Sequence, residues 1–284
     1  MEAIKSVGGE IVAALDPSDS VGILDRYAPK CAYFKEPERF WRWMSRRAFE
    51  GKQKPDWISI CSPNWLHDAH VRMALASGCR VILEKPAVLT ARNYDCLMSE
   101  FPKDCRKNVF VCHQLRWHPD TLAILYDTRA VADADPGHRF KVKIVYHTPR
   151  GPWYGYSWKG DVERSGGPIS NLGIHFLDML ANLYGKTHDL WVSDRDEQRV
   201  IGGLQMDKAD VEFSLSTRFR DAPGGKPLRE FLIDGENAFR FDAGFTGLHD
   251  KVYASAMQDK GVMFSEIREP IRIAEEIRLA NYCC

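Results

Sequence analysis

The segment between Gly166 and Asp178 combines residue types that could move a proton. It reads Gly-Gly-Pro-Ile-Ser-Asn-Leu-Gly-Ile-His-Phe-Leu-Asp, a glycine-rich turn that leads into a helix. On a helix, Asn171 and His175 share one face because they are four residues apart, and Asp178, three residues further on, could orient the imidazole. Histidine has an unperturbed pKa suited to taking a proton from an alcohol near neutrality. The alternative is a capped helix start that carries one core histidine.

A second candidate is the triplet Glu84-Lys85-Pro86, which directly follows an apolar run at 80–83. Ligands of open α/β sheets bind outside the carboxyl ends of the strands, so a lysine at this point would face the crevice. It could hold a substrate hydroxyl, or share in its deprotonation if burial lowers the pKa of the amine. The alternative is a solvated surface lysine, which is the commoner situation for any single lysine.

An acidic residue, Asp16, ends an earlier apolar run at 10–15. In a dinucleotide-binding fold, such a carboxylate can accept hydrogen bonds from the adenosine ribose and would repel a 2′-phosphate, which favours NAD over NADP. The alternative is a plain turn residue, because Pro17 and Ser18 follow it.

The stretch from 146 to 160 interleaves aromatic side chains with Arg150 and Lys159 and includes Trp158. Stacking and charge-assisted hydrogen bonds suit a sugar or a nucleobase that carries anionic groups. An ordinary aromatic loop packed on a sheet would have the same composition. Two further polar stretches follow apolar runs and could line the same crevice, at 62–64 and 114–119.

Composition excludes several classes of protein. The 39 basic and 39 acidic side chains cancel, so no general nucleic-acid binder is indicated. No apolar run approaches the roughly 18 residues of a membrane span, and the N-terminus has no secretory core. None of the eight cysteines forms a C-x-x-C pair, so no metal site is predicted. We expect buried free thiols in the reducing cytoplasm, with Cys283 and Cys284 in a frayed tail.

Short apolar runs alternate with helical segments over the first 120 residues. Strands are predicted near 10–16, 56–61, 80–84 and 108–112, with helices at 37–47, 67–77 and 91–100 between or after them. This alternation predicts a parallel, doubly wound α/β sheet of the Rossmann type.

The pattern changes after residue 120. A helix at 121–129 continues from the first part, and longer runs of alternating hydrophobicity follow at 140–148, 197–205, 211–220 and 229–234. Such alternation is typical of strands covered on one face, as in an antiparallel sheet. With helices at 166–183 and 269–279, residues 121–284 are predicted to form an α+β domain with an open antiparallel sheet. The first domain spans residues 1–120.

The order of these motifs resembles the Gfo/Idh/MocA family of NAD(P)-dependent sugar oxidoreductases. The resemblance rests on Asp16 after a strand, on Cys61-Ser62-Pro63-Asn64-Trp65-Leu66-His67, on Glu84-Lys85-Pro86 and on the Gly166–Asp178 segment. Within the family, the 114–119 and 150–160 stretches and Asn171 are similar to the UDP-N-acetylglucosaminuronic acid 3-dehydrogenases of bacterial surface-polysaccharide synthesis.

The resemblance implies oxidation of a UDP-sugar at its C3 hydroxyl with NAD. It places Lys85, Asn171 and His175 around the reacting hydroxyl, with His175 favoured as the base and Lys85 as the alternative. The implied cofactor contacts are Asp16, Ser62, Pro63, Asn64, His67, Glu84 and Lys85. The implied substrate contacts are Gln114, Arg116, Arg150, Trp158, Lys159, Asn171 and Asp178. It also implies a homodimer or homotetramer through the second-domain sheet, and a last helix that packs back near the first domain.

The sequence departs from this family at its beginning. It contains no Gly-x-Gly-x-x-Gly turn, and Met1 to Lys5 are similar to the end of the helix that follows that turn. We expect a first strand, its glycine loop and the start of its helix to be missing, on the order of 15–20 residues. Met1 is then either an internal methionine of a longer protein, which we favour, or the start of a truncated product with impaired cofactor binding. Two other functions stay open: a non-catalytic sugar-nucleotide-binding protein, and a dehydrogenase of another sugar or inositol.

Overall fold

The computed structural model describes residues 1–18 and 21–280. The expected frayed tail with Cys283 and Cys284 lies outside the described residues. Among the described helices, none has both the length and the apolar character required to cross a lipid bilayer.

The first part of the chain is an α/β arrangement with short parallel strands, as predicted. Its strands are β1 (Ala13–Leu15), β2 (Ala32–Phe34), β3 (Trp57–Ile60), β4 (Arg80–Leu83) and β5 (Val109–Val111). Its helices are α1 (Glu2–Ser6), α2 (Ile23–Tyr27), α3 (Pro37–Phe49), α4 (His67–Ala76), α5 (Ala91–Glu100) and α6 (Pro102–Lys107). The residues of β4 and β5 are almost all buried, as expected for strands covered on both faces.

The parallel strands form two separate sheets. β1 pairs with β2, while β4 lies between β3 and β5. Among the described residues, no hydrogen-bonded ladder joins β1 to β3. The two sheets still share one feature, because the loops at the carboxyl ends of β1, β3 and β4 carry the predicted cofactor residues.

The second part is built on a six-stranded sheet. Its strands are β6 (Phe140–His147), β7 (Thr187–Arg195), β8 (Arg199–Met206), β9 (Ala209–Ser216), β10 (Leu228–Ile233) and β11 (Glu236–Asn237). Their order is β11-β10-β6-β9-β8-β7. The remaining helices are α7 (Pro119–Ala134), α8 (Trp153–Tyr156), α9 (Val162–Ser165), α10 (Ile174–Tyr184), α11 (Leu248–Met257) and α12 (Arg268–Leu279).

This sheet is mixed, whereas the sequence predicted a wholly antiparallel sheet. β6 and β9 run parallel, and the other neighbours are antiparallel. The chain leaves β6 and passes through α10 and the β7–β8 hairpin before it forms β9. As a result, β9 runs in the same direction as β6. Alternating hydrophobicity along a strand indicates that one of its faces is covered. It does not distinguish a parallel from an antiparallel neighbour.

Several short elements were not predicted, among them β2, β11, α2 and α6, and neither were the longer elements β7 and α11. β7 is a mostly exposed edge strand without clean alternation, so its sequence has no strong periodic signal. α11 begins after Gly247 and has no side-chain cap, so its start is not marked in the sequence. The predicted strand 211–220 is also too long, because a 3-10 turn at Phe219–Asp221 follows β9.

The last helix contacts both parts of the molecule. α12 packs on α10 in the large core of the second part and also touches α5. Glu275 accepts a hydrogen bond of 2.7 Å from the backbone N–H of Ala91, and Arg268 binds Asp95. These contacts join the last helix to the start and the outer face of α5.

Candidate active site

Lys85 lies in the crevice at the end of the central strand β4. β4 is the central strand of its sheet, flanked by β3 and β5. The Nζ atom of Lys85 donates a hydrogen bond of 2.8 Å to the backbone carbonyl of Asn171. The two strongest motifs of the sequence therefore meet in the folded chain.

The environment of Lys85 destabilises its ammonium form. Burial lowers the pKa of this lysine to about 8; the carboxylate of Glu84 opposes the change, and the positive charges of Lys159 and Arg150 add to it. An amine with this pKa exchanges protons readily near neutral pH, unlike an exposed lysine.

Asn171 is positioned by a turn of π-helix. Residues Ile169–Gly173 form this turn immediately before α10, and such turns are frequent at functional sites. The side-chain Nδ2 of Asn171 donates to the hydroxyl of the buried Tyr154 at 2.8 Å. Upstream, Gly166 has a φ of +79°, and a Cβ atom there would approach Ser170 to 2.5 Å, so the entry turn requires glycine.

His175 is half-buried on the first turn of α10 and has unused hydrogen-bonding capacity. Its Nδ1 atom is buried and has no hydrogen-bond partner among the described residues. Burial lowers its pKa well below 6.5, and the nearby charge of Lys85 has the same effect. The ring is therefore neutral at physiological pH and can bind a polar group of a ligand.

The prediction that Asp178 orients His175 does not match the structure. The carboxylate of Asp178 accepts two hydrogen bonds from Arg116, of 2.9 and 2.7 Å, and lies 3.6 Å from Nδ1 of His113. Arg116 also binds Glu266 at 2.9 Å. Asp178 lies one helical turn below His175, on the side of α10 that packs against the 3-10 turn of Arg116. We propose that Arg116 and Asp178 brace α10 instead of contacting substrate.

Glu84 links the lysine to a residue that was not predicted. One carboxylate oxygen lies 3.6 Å from Nε2 of His249 on α11, and the other accepts the backbone N–H of Lys85 at 3.3 Å. Burial would raise the pKa of Glu84, but the hydrogen bond from His249 and the charge of Lys85 bring it below its usual value. Glu84 therefore remains ionised at the floor of the crevice.

Three of the predicted cofactor residues use their polar atoms within the chain. Asn64 is buried and donates to the backbone carbonyl of Ser165 at 2.8 Å, which ties the two parts together. The ring nitrogens of His67 lie 2.7 Å from the carbonyl oxygen of Pro86 and 2.8 Å from that of Ser62. The hydroxyl of Ser62 lies 2.9 Å from Nδ1 of His70. We propose that Asn64 and His67 position the crevice loops and do not contact a ligand themselves.

The predicted aromatic and basic loop forms one rim of the crevice. Trp158 packs edge-on against Trp65, which belongs to the loop after β3, at 5.8 Å between ring centroids. The Lys159 ammonium lies over Trp158 and Trp153. Arg150 is exposed. The positive charges of Arg150 and Lys159 both contribute to the lowered pKa of Lys85.

The three remaining predicted residues, Asp16, Pro63 and Gln114, differ in how far their polar atoms are exposed to solvent. Asp16 is exposed at the end of β1, and its Oδ1 accepts the backbone N–H of Ser18 at 2.8 Å, so its other oxygen is available. Pro63 caps a 3-10 turn after β3. The Oε1 atom of Gln114 is buried and has no partner among the described residues.

The donor set fits the two ends of a dinucleotide. Asp16 offers an exposed acceptor at the carboxyl end of β1, where a ribose would lie, and the reacting end would lie beside Lys85, whose charge also acts on His175. The described residues include no glycine-rich phosphate loop of the expected spacing.

Several residues at the site were missed by sequence reasoning. Tyr154, His113 and His249 all contact predicted residues, and Trp65 pairs with Trp158. His113 directly follows the strand-end Cys112, a position that could have been noted. His249 carries no such signal, because its helix was not predicted. In the described ranges, no group of three or more His, Cys, Asp or Glu side chains is placed to hold a metal ion.

Two family models match the chain. Residues 4–111 match the Gfo/Idh/MocA model described as "Oxidoreductase family, NAD-binding Rossmann fold". Residues 138–208 match the companion model, "Oxidoreductase family, C-terminal alpha/beta domain". A curated relative, D-glucoside 3-dehydrogenase of Escherichia coli (strain K12), is 29% identical over 143 residues, which are 46% of this chain and 36% of that enzyme. The chain thus aligns with about a third of that relative's length.

Two solved structures are more similar over the whole chain. Both are of the WlbA (WbpB) dehydrogenase from Thermus thermophilus, one in complex with NAD and α-ketoglutarate and the other with NAD and UDP-GlcNAcA. The first is 36% identical with a TM-score of 0.91, and the second is 35% identical with a TM-score of 0.90. Each alignment covers 99% of this chain and 91% of the other.

Proposed function

Because the chain belongs to the Gfo/Idh/MocA family of oxidoreductases, we propose that it oxidises the C3 hydroxyl of a UDP-N-acetylhexosaminuronic acid to a ketone, with NAD as hydride acceptor. The observation that carries this substrate is the set of cations around the crevice. Arg150 and Lys159 both lie close enough to Lys85 to act on its charge, and neither has a carboxylate partner among the described residues. A diphosphate would neutralise such a set.

The aromatic rim supports a nucleotide-linked sugar over a free sugar. Trp65, Trp153 and Trp158 present ring surface beside the cations, and Trp153 is half exposed. Aromatic rings bind sugar and base faces by stacking, while the cations bind the anionic linker. The Thermus structure holds UDP-GlcNAcA, which contains all three of these chemical groups.

In the proposed reaction, the C3 hydroxyl lies between Lys85, Asn171 and His175. Bound NAD would supply the acceptor for the hydride of C3, and the hydroxyl proton must go to the protein. We propose Nζ of Lys85 as the acceptor, because a pKa of about 8 matches the working pH better than the strongly lowered pKa of His175. This reverses the preference for His175 that the sequence alone favoured. His175 then binds the hydroxyl oxygen, and the amide of Asn171, held by Tyr154, binds a neighbouring hydroxyl.

We further propose a homodimer or homotetramer that works in the cytoplasm of a cell that makes surface polysaccharide. The proposed contact is the face of the six-stranded sheet opposite the helices, where Trp191 is half exposed beside charged positions such as Lys141 and Glu212. The cysteines of the described residues are unpaired, which suits a reducing compartment. Light scattering tests the assembly, and a monomer would exclude it.

The test of function begins with NADH binding, followed by fluorescence quenching, with circular dichroism on the same sample. Turnover is then measured as NADH formation with UDP-GlcNAcA, UDP-GlcNAc, myo-inositol and a glucoside, each with and without α-ketoglutarate. We expect UDP-GlcNAcA to give the highest kcat/KM.

A matched pair of variants tests the assignment of the site. Lys85→Met should lower kcat by about 10²- to 10⁴-fold with a smaller effect on substrate affinity. Lys103→Met, an exposed lysine on α6, should leave turnover unchanged. Sugar-nucleotide binding without NADH formation would indicate a non-catalytic sugar-nucleotide-binding protein instead. A preference for inositol or the glucoside would indicate a dehydrogenase of another sugar or inositol.

A further inference from the structure

Arg229 is a half-buried cation on the helix-covered face of the second-domain sheet. It lies on β10 opposite Tyr146 of β6, so both side chains are on the same face as the core residues of that strand. The guanidinium lies 5.1 Å from the centre of the Tyr146 ring. One of its nitrogens, Nη2, is 3.3 Å from the hydroxyl of the buried Thr148, to which it donates.

This guanidinium has unused binding capacity. Its Nε atom is buried and has no hydrogen-bond partner within residues 1–18 and 21–280. Within the same residues, no carboxylate lies within ion-pair distance of Arg229, whereas Arg116, Arg139 and Arg272 all pair with acids. Burying a guanidinium without an anion is unfavourable, so a protein that retains one at this position gains from an anionic ligand.

The position of Arg229 connects it to the candidate active site. The Tyr146 ring beneath it packs at 5.3 Å on Phe176, the residue after His175. Thr148, its hydrogen-bond partner, lies two residues before Arg150 on the segment that leads to Tyr154. Tyr146 thus links the guanidinium to the helix that carries His175, and Thr148 links it to the segment that carries Arg150.

We infer that Arg229 and Thr148 form a carboxylate subsite that selects a sugar acid over the corresponding neutral sugar. This inference rests on the proposed function and names the residue that recognises the uronic acid group of the proposed substrate. A guanidinium binds a carboxylate through two parallel hydrogen bonds, and Nε with one terminal nitrogen offers that geometry. The diphosphate has a separate pair of cations in Arg150 and Lys159.

The test measures binding and does not depend on turnover. Isothermal titration with UDP-GlcNAcA and with UDP-GlcNAc, which differ only at C6, is performed on the wild-type protein and on Arg229→Gln. Arg229→Lys keeps the charge over Tyr146 but loses the planar fork. The exposed Arg92→Gln on α5 is the control. Thermal melts of all four proteins verify the fold.

We expect the wild-type protein to prefer the acid, and Arg229→Gln to weaken acid binding by about 10- to 100-fold while UDP-GlcNAc binding is unchanged. Arg229→Lys should lose a large part of the same preference and remain folded. Retention of the preference in both variants, or equal weakening of both ligands, would overturn the subsite. A wild-type protein without preference for the acid would instead refute the proposed substrate, and that result is visible before any variant is made.

Discussion

Replacing Lys85 with methionine should abolish turnover and at the same time stabilise the fold. Burial lowers the pKa of this lysine from 10.5 to about 8. Such a difference corresponds to roughly 3 kcal/mol at pH 7, by which the folded state disfavours the ammonium form relative to the unfolded chain. Methionine has similar length and flexibility and carries no charge. Loss of the hydrogen bond to the Asn171 carbonyl opposes the gain by about 1 kcal/mol, which leaves a net stabilisation of about 2 kcal/mol.

The pH dependence gives the sharper signature of this effect. The unfolded chain binds more protons at this lysine between pH 8 and 10.5, so wild-type stability rises with pH across that window relative to the variant. The advantage of Lys85→Met is therefore full below pH 8. It should shrink by roughly 1 kcal/mol at pH 9 and almost vanish near pH 10.

Urea unfolding of both proteins at pH 7 and pH 9, monitored by tryptophan fluorescence, measures this difference directly. Comparing wild type with variant at each pH cancels the titration of the other groups. A variant less stable than wild type at pH 7, or an advantage independent of pH, would show that Lys85 is not held in a desolvated site. The reasoning about its role as proton acceptor would then fail as well.

Three other predictions follow from the site. Asp178→Asn leaves the mostly buried guanidinium of Arg116 with one partner fewer and should lower the free energy of unfolding in urea by about 3–5 kcal/mol. The control Asp95→Asn, at an exposed ion pair, should lower it by less than about 1 kcal/mol. Similar losses for both variants would refute a bracing role. Asn64→Ala should lose about 1–3 kcal/mol, since its buried carbonyl partner is left unpaired, and a neutral result would contradict the inter-domain contact. Asp16→Ala should weaken NADH binding about 10-fold and reduce discrimination against NADPH, as measured by fluorescence titration; unchanged selectivity would remove this residue from the cofactor site.

In α10, the sequence predicted the shared helix face correctly but not the partner of Asp178. Spacing alone placed Asn171 and His175 on one face, and the glycine-rich turn indicated where the helix starts. The same spacing suggested that Asp178 serves His175, but its carboxylate binds Arg116, which is 62 residues away in the chain. Local periodicity specifies which residues share a helix face. It does not specify which distant residue packs against that face.

A similar division holds for the sheets. Apolar runs gave the strands β3, β4, β5 and β6 nearly to the residue, because burial on both faces or on alternate positions leaves a periodic pattern. The exposed edge strand β7 and the uncapped helix α11 left no such pattern. The parallel pairing of β6 with β9 depends on the path of the chain between them, which periodicity does not record.

By itself, the sequence determined the α/β class of the chain, its family and the motifs that carry its chemistry, because these depend on residue type, order and short spacing. Only the tertiary structure decided that Lys85 meets the carbonyl of Asn171, that its pKa falls to about 8, and that Arg229 has no acidic partner among the described residues. Desolvation and charge pairing arise from residues brought together across long stretches of chain, and they exist only once those residues are packed.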